Sequence, residues 1–347
     1  MAQPTSTTRF NAKELLSSVN TTVFRFQRRL MSSLTDTISK CFASLILLID
    51  VFGVFGNLNI IIATLLFKQL RTSKCSLLIG LNAVLDLIST VFGVQAFLYE
   101  MIHKQDGLIY RDECFNKIWP FVFIACLETT IMFFLAIDRL LAVVTPFFYK
   151  RINIILYFLL IPIPGLLFGA LIITLGFLYN DHGGIIFCLP PTSLNIFAQW
   201  ISTLSITVIN CCTVIVYVAI VTVIKKQITI TKTIAYIVSF FILTWLTGHL
   251  INLLTNVLYK GSLKRCLYHL LSMLPTHLSY SGSFYIYFWR SKSYRQMFIY
   301  QMKMAISWMF CRRCCRTTLP VETPLDTPNM RQQHRTTQVQ PADSFKV

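Results

Sequence analysis

Residues 114–144 read CFNKIWPFVFIACLETTIMFFLAIDRLLAVV, and this stretch decides the architecture. It is apolar over most of its length, opens on Cys114 and carries the pair Asp138-Arg139 near its end. Charged side chains at the edge of such a segment are expensive, and they normally serve function. Cys114 stands 25 positions before Arg139. At about 1.5 Å per residue that is about 38 Å of helix, enough to cross a hydrocarbon core of about 30 Å with some tilt. One helix therefore carries a cysteine at one membrane face and an arginine at the other.

Composition extends this reading to the whole chain. Of 347 residues, 55% are hydrophobic and 13% charged, and the mean hydropathy is +0.62. That is too apolar for a soluble globule and marks a polytopic membrane protein. Seven stretches are long and apolar enough to span: 41–67, 75–99, 115–141, 153–178, 196–224, 233–258 and 267–289. The expected fold is an all-α seven-transmembrane helix bundle. The absence of an internal repeat disfavours an inverted-repeat transporter. The expected organisation is an extracellular arm (1–40), the bundle (41–289), a juxtamembrane amphipathic helix with a cysteine cluster (290–316) and a disordered cytoplasmic tail rich in Pro, Thr and Gln (317–347). The arm lacks the short apolar core of a cleavable signal peptide, so the first span would act as its own insertion signal. The net charge of +17 reads as basic flanks meeting anionic lipid. No nucleic-acid partner is expected, because no base-reading module is present.

Placing the N-terminus outside puts Lys68, Arg71, Lys74, Arg139, Lys150, Arg151, Lys225, Lys226, Lys232 and the basic tail on the inner side, which the distribution of Lys and Arg favours. The basic arm (Arg9, Lys13, Arg25, Arg28, Arg29, Lys40) argues the other way. Asn20-Thr21-Thr22 is a glycosylation sequon on the side that would be outside.

Several local patterns then coincide. The first span contains Gly56-Asn57, and the loop after it reads Leu70-Arg71-Thr72-Ser73-Lys74-Cys75. The second span has Asn82-Ala83-Val84-Leu85-Asp86-Leu87. The third begins Cys114-Phe115 and ends Ile137-Asp138-Arg139-Leu140, followed by Pro146 and Tyr149. Cys188 lies in the second outer loop. The seventh span ends Phe284-Tyr285-Ile286-Tyr287-Phe288-Trp289-Arg290. Over roughly residues 50–300 the chain resembles the nematode serpentine chemoreceptors of the Srsx type, which are rhodopsin-like seven-helix G-protein-coupled receptors. It departs from the wider receptor pattern in five places, one of them the fourth helix, which lacks its usual Trp and has Pro162 and Pro164 instead. The third helix ends Asp-Arg-Leu rather than Asp-Arg-Tyr. The sixth has Thr244-Trp245-Leu246-Thr247 without a proline. The seventh has Ser281-Gly282-Ser283-Phe284-Tyr285 where Asn-Pro-x-x-Tyr is usual. The fifth also lacks a proline. These losses put the helix-bending geometry in question.

The resemblance implies roles. Arg139 would be the switch residue, pairing Asp138 at rest and meeting a heterotrimeric G protein when the inner ends open. Tyr217 and Tyr285 are its expected partners in that open state. The plainer reading of Arg139 is a side chain that anchors the helix end at the lipid interface. Asp86 and Glu128 are expected to face each other in mid-membrane, where a single carboxylate is usual. Two carboxylates there cannot both stay ionised without a cation, so they hold Na⁺ or share a proton. His277 and Asn57 would complete this cluster. The plainer alternative is a neutral hydrogen-bonded group that packs helices. Cys114 and Cys188 would form a disulfide on the oxidising side. Cys311, Cys314 and Cys315 sit among arginines and suggest palmitoylation, and they lack a fourth ligand for zinc. The remaining cysteines within the spans read as small packing residues.

The ligand pocket would be the outer half of the bundle, lined by Phe121, Ile124, Ala125, Trp200, Trp245, His249 and Leu278. Phe121 stands where amine receptors place an aspartate, so an amine site of that type is not expected. Asp50 in the first span would either contact ligand or pair inside the bundle. The reading is a chemosensory receptor in the plasma membrane, with a sensory cilium as one location. It takes a small-molecule or peptide ligand, uses no cofactor and catalyses no reaction. The alternatives are a neuropeptide-type receptor of the same fold and a seven-helix ligand-gated channel. No hydrolase constellation is present.

Overall fold

The computed structural model describes residues 12–102, 109–185, 188–223, 236, 239–258 and 263–310. Among them, six helices are long and apolar enough to cross a membrane: Lys40–Leu66, Lys74–Gln95, Arg111–Val144, Ile154–Leu178, Ile196–Val223 and Ser239–Leu258. The first belongs to a longer helix, Ala12–Leu66, which includes residues 12–40 of the arm and so Asn20. The side chain of Asn20 lies outside the described residues.

The helix expected as the seventh span runs Leu263–Arg290. It is long enough to span but too polar to count by hydropathy, because its buried face carries His269, Ser272, Thr276, His277 and Ser281. It packs against the first, second and sixth helices. It also begins earlier than the expected 267–289, so Arg265, read as a loop residue, belongs to its first turns.

The bundle distributes polarity as a membrane solvent requires. Large apolar side chains such as Leu48, Leu65, Ile155, Leu167, Leu178 and Ile215 face outward. Asp50, Asn57, Asp86, Glu128 and Asn210 are sealed inside. Polar groups in this setting find partners on neighbouring helices, because lipid offers none.

Local sequence explains the breaks. Asn153 caps the fourth span, its Oδ1 accepting from the backbone N–H groups of Ile155 (2.8 Å) and Leu156 (3.4 Å), as a good N-cap does. This span is divided at Ile161 into Ile154–Leu160 and Pro162–Leu178, since Pro162 has no N–H to donate. In the sixth span, where the usual proline is missing, Ile242–Leu246 form a π-helical turn. Such turns bend a helix without proline.

Between the spans lie short helices, Lys68–Arg71, Pro146–Arg151 and Pro190–Ser193, and Lys292–Phe310 follows the seventh. One feature departs from the expected all-α outline: Ile109–Tyr110 pairs antiparallel with Gly184–Ile185 in a small outer sheet. The contact pattern divides the chain into a unit through Ile299 and a second from Tyr300. The described part of the second is the helical stretch 300–310.

Candidate functional site

At the end of the bundle where the third helix begins, Cys114 and Cys188 are joined in a disulfide, with Cα atoms 5.5 Å apart. The loop bearing Cys188 is drawn down further by an Arg111–Asp181 ion pair and by Asn195 Nδ2 donating to Asp181 Oδ2 at 2.7 Å. Pro190, Pro191 and Leu194 of this loop roof a cavity of about 70 Å³ whose walls include Phe121, Ala125, Gln199, Ile206, His249, Asn252, Met273 and Tyr280. That is several times the space one water needs.

Of the expected lining, Phe121, Ala125 and His249 border this cavity. Ile124 does not. Trp200 and Leu278 do not either, being 38% and 44% exposed on the outside of the bundle. Trp200 follows Gln199 by one position, and a turn of about 100° separates neighbours on a helix. Trp245 is fully buried beside the cavity. Its Nε1 donates to Asn210 Oδ1 (2.9 Å), and its ring packs against His249 (centroids 4.8 Å) and Tyr280 (5.3 Å).

Sequence reasoning missed the polar network at this level. Gln199 Nε2 donates to Asn256 Oδ1 (3.0 Å), and Arg265 reaches Gln199 Oε1 (2.9 Å) and Asn256 Oδ1 (3.2 Å). Asn252 Oδ1 accepts from Ser272 Oγ (2.7 Å) and from His269 Nδ1 (2.9 Å). The available signal was the set of amides inside apolar spans, each of which needs a partner.

Within the bundle, the buried carboxylates of Asp86 and Glu128 are neighbours close enough to interact electrostatically. Asn82 Nδ2 donates to Asp86 Oδ2 (2.9 Å) and Ser89 Oγ to Glu128 Oε2 (3.4 Å), while Ser283 also contacts Asp86. His277 is not part of this cluster. It pairs instead with Asp50 of the first span, Nδ1 to Oδ1 at 2.8 Å. Ser283, which meets Asp86, is six positions further on, so His277 points about 240° away around the helix. Asn57 also stays apart and donates to the backbone oxygen of Tyr280 (3.0 Å). Among the described residues, no group of three or more His, Cys, Asp or Glu side chains is placed to hold a metal ion.

At the opposite end of the bundle the expected Asp138–Arg139 pair does not form. Asp138 Oδ1 accepts from Tyr149 and Tyr157, each at 2.8 Å. Lys74 lies over the Tyr149 ring, 4.4 Å from its centroid. Burial pushes the Tyr149 hydroxyl pKa up, and the Asp138 carboxylate adds to this, so the phenol stays protonated and donating. Arg139 lies within electrostatic range of Tyr217 and Tyr287. Tyr217 packs beside Ala136 and Ile220.

Tyr285 does not turn inward as expected. It is 40% exposed and donates to the Phe52 backbone oxygen at 3.1 Å. Tyr287, stacked on Tyr294 (5.1 Å), is instead the tyrosine of this helix within electrostatic range of Arg139. Cys311, Cys314 and Cys315 lie outside the described residues, as does the side chain of Cys266.

Comparison with known protein families matches residues 50–302 to the serpentine type 7TM GPCR chemoreceptor Srsx. Comparison with curated proteins finds no match. The matched segment takes in the cavity, the paired carboxylates and the Asp138-Arg139 end. The chain belongs to the Srsx family of serpentine seven-transmembrane G-protein-coupled chemoreceptors.

Proposed function

We propose that this multi-pass membrane chemoreceptor binds a small external molecule in the cavity beneath Pro190 and Pro191, and that Arg139 at its inner end activates a heterotrimeric G protein. The observation that carries the reading is the roofed cavity beside Trp245. Beyond Trp245, the same bundle holds the paired carboxylates Asp86 and Glu128 and then Arg139. A ligand that fits the cavity better in one helix arrangement than another shifts the equilibrium between them. A cavity of about 70 Å³ suits a small molecule.

In this reading the N-terminus is extracellular, the disulfide faces the oxidising side, and the receptor sits in the plasma membrane, with a sensory cilium as one setting. Asp86 and Glu128, with the hydroxyls of Ser89 and Ser283, supply the oxygen donors that a sodium ion or a shared proton would need.

The test is G-protein activation in cells by wild type and Arg139→Ala, across a panel of volatile and water-soluble chemicals, at matched surface expression. A response abolished by Arg139→Ala is expected. A ligand-evoked current without G-protein turnover would overturn the reading. For the carboxylate pair, Glu128→Gln should change the sodium or pH dependence of the response, and an unchanged dependence would leave only a packing role.

A further inference from the structure

We infer that the ligand is a small uncharged molecule with an apolar body and one hydrogen-bonding oxygen, of the ketone or alcohol class, and that His249 is the side chain that holds that oxygen. This inference rests on the outer cavity being the ligand site.

Two features of the cavity set the ligand's character. Its lining contains no Asp, Glu, Lys or Arg, so a charged group placed there would lose its hydration with no opposite charge in the lining itself. Phe121, Val122, Ile206 and Met273 supply an apolar wall suited to a hydrocarbon body.

Ser202, Thr203 and Tyr280 also bring hydroxyls to the lining, but His249 is distinguished as the lining residue with a buried side-chain atom that has no partner among the described residues. Gln199 is engaged with Asn256 and Arg265, Asn252 with His269 and Ser272, and Thr276 donates to the Ser272 backbone oxygen (2.9 Å). His249 lines the same cavity, yet its Nε2 is buried and has no hydrogen-bond partner among the described residues. A buried polar atom left this way is costly and calls for an explanation. A neutral imidazole offers one donor and one acceptor nitrogen, so it serves a carbonyl or a hydroxyl. Its ring also lies against Trp245, which stands on the π-helical turn of the sixth span. A ligand that seats His249 thus acts directly on the side chain at the bend.

The competing feature is Arg265, which touches Gln199 and Asn256 and would serve a carboxylate. The experiment therefore compares, at one chain length, an alkane, a 2-ketone, a primary alcohol, a carboxylate and a primary amine. Binding is read on the full-length receptor in lipid nanodiscs by tryptophan fluorescence, and G-protein activation is read in parallel. The ketone or the alcohol is expected to bind at least about tenfold more tightly than the others. His249→Phe keeps the ring against Trp245 and should weaken that binding about tenfold, about 1.4 kcal/mol, leaving the alkane's affinity unchanged. His249→Gln should recover part of the loss.

Preferred binding of the carboxylate that Arg265→Gln removes would overturn the inference. So would preferred binding of the amine, no binding of either oxygenated compound, or an unchanged affinity in His249→Phe. The receptor reading fails separately: the predicted binding without any G-protein activation would refute coupling and leave the ligand class standing.

Discussion

Replacing Asp50 with alanine should leave His277 without its partner in a nearly sealed site. Their side chains are 0% and 6% exposed, and the 2.8 Å bond ties the first span to the seventh helix. The second span crosses close by at Gly93, where a Cβ would strike both the Asp50 carboxylate and the His277 ring. Three helices therefore meet on one contact. If the pair is a neutral hydrogen bond, membrane-protein precedent puts its coupling at about 0.6–1.7 kcal/mol. If it is an ion pair, removing one partner leaves a buried charge uncompensated and costs about 3–5 kcal/mol. The assay is a double-mutant cycle of Asp50→Ala, His277→Ala and the double variant, read as unfolding of the solubilised receptor. Each single variant should destabilise, and the double should cost less than the sum of the singles. Coupling under about 0.5 kcal/mol, the range of independent sites, would refute the claim that this contact fastens the helices. Gly93→Ala should reproduce the destabilisation with both partners still present, because its Cβ would press on the Asp50 carboxylate and the His277 ring.

Three further outcomes follow from close contacts. A Cβ at Gly282 would meet the Phe240 ring, so Gly282→Val should force the sixth and seventh helices apart at a cost of about 1–3 kcal/mol; thermal stability should fall and Phe240→Ala should partly restore it. Asn210→Leu should leave the Trp245 Nε1–H unpaired at about 1–3 kcal/mol and change basal signalling, and Trp245→Phe in that background should remove most of the penalty. Tyr287→Phe should impair ligand-driven G-protein activation more than Tyr285→Phe, measured at equal surface expression; equal effects would contradict the inward placement of Tyr287.

Six of the spans were legible as long apolar runs, since helix length follows from bilayer thickness; the seventh helix is more polar on its buried face. The partners of the buried polar groups were not legible, because they depend on rotation about each helix axis. Tyr285 and Tyr287 show the difficulty. They are two positions apart, about 200° around the helix, and with the usual Asn and Pro missing, counting from the altered run selected the outward one. His277 was misplaced for the same reason. Asp138 failed differently: its carboxylate is taken by Tyr149 and Tyr157, which come from a short loop helix and the next span, and no spacing within the third helix could reveal them. Arg265 was hidden by a boundary, since the seventh helix starts before its apolar run does.

The sixth span carries a π-helical turn, a feature that kinks helices, where the usual proline is missing. Proline bends a helix by withdrawing one N–H, which leaves a carbonyl one turn earlier without its partner. A π-helical turn reaches a similar end by inserting a residue, so that the ladder locally skips a step. Here the turn Ile242–Leu246 is closed by a side chain as well, with Thr247 Oγ1 donating to the Ile242 oxygen at 2.7 Å. Thr244 Oγ1 donates back to the Phe240 oxygen, also at 2.7 Å. The two threonines of Thr244-Trp245-Leu246-Thr247 thus satisfy backbone oxygens around the irregular turn, and the tryptophan between them is fixed from the fifth span by Asn210. The absent proline, read from sequence as a loss of bending geometry, is answered by hydroxyls within the same four residues.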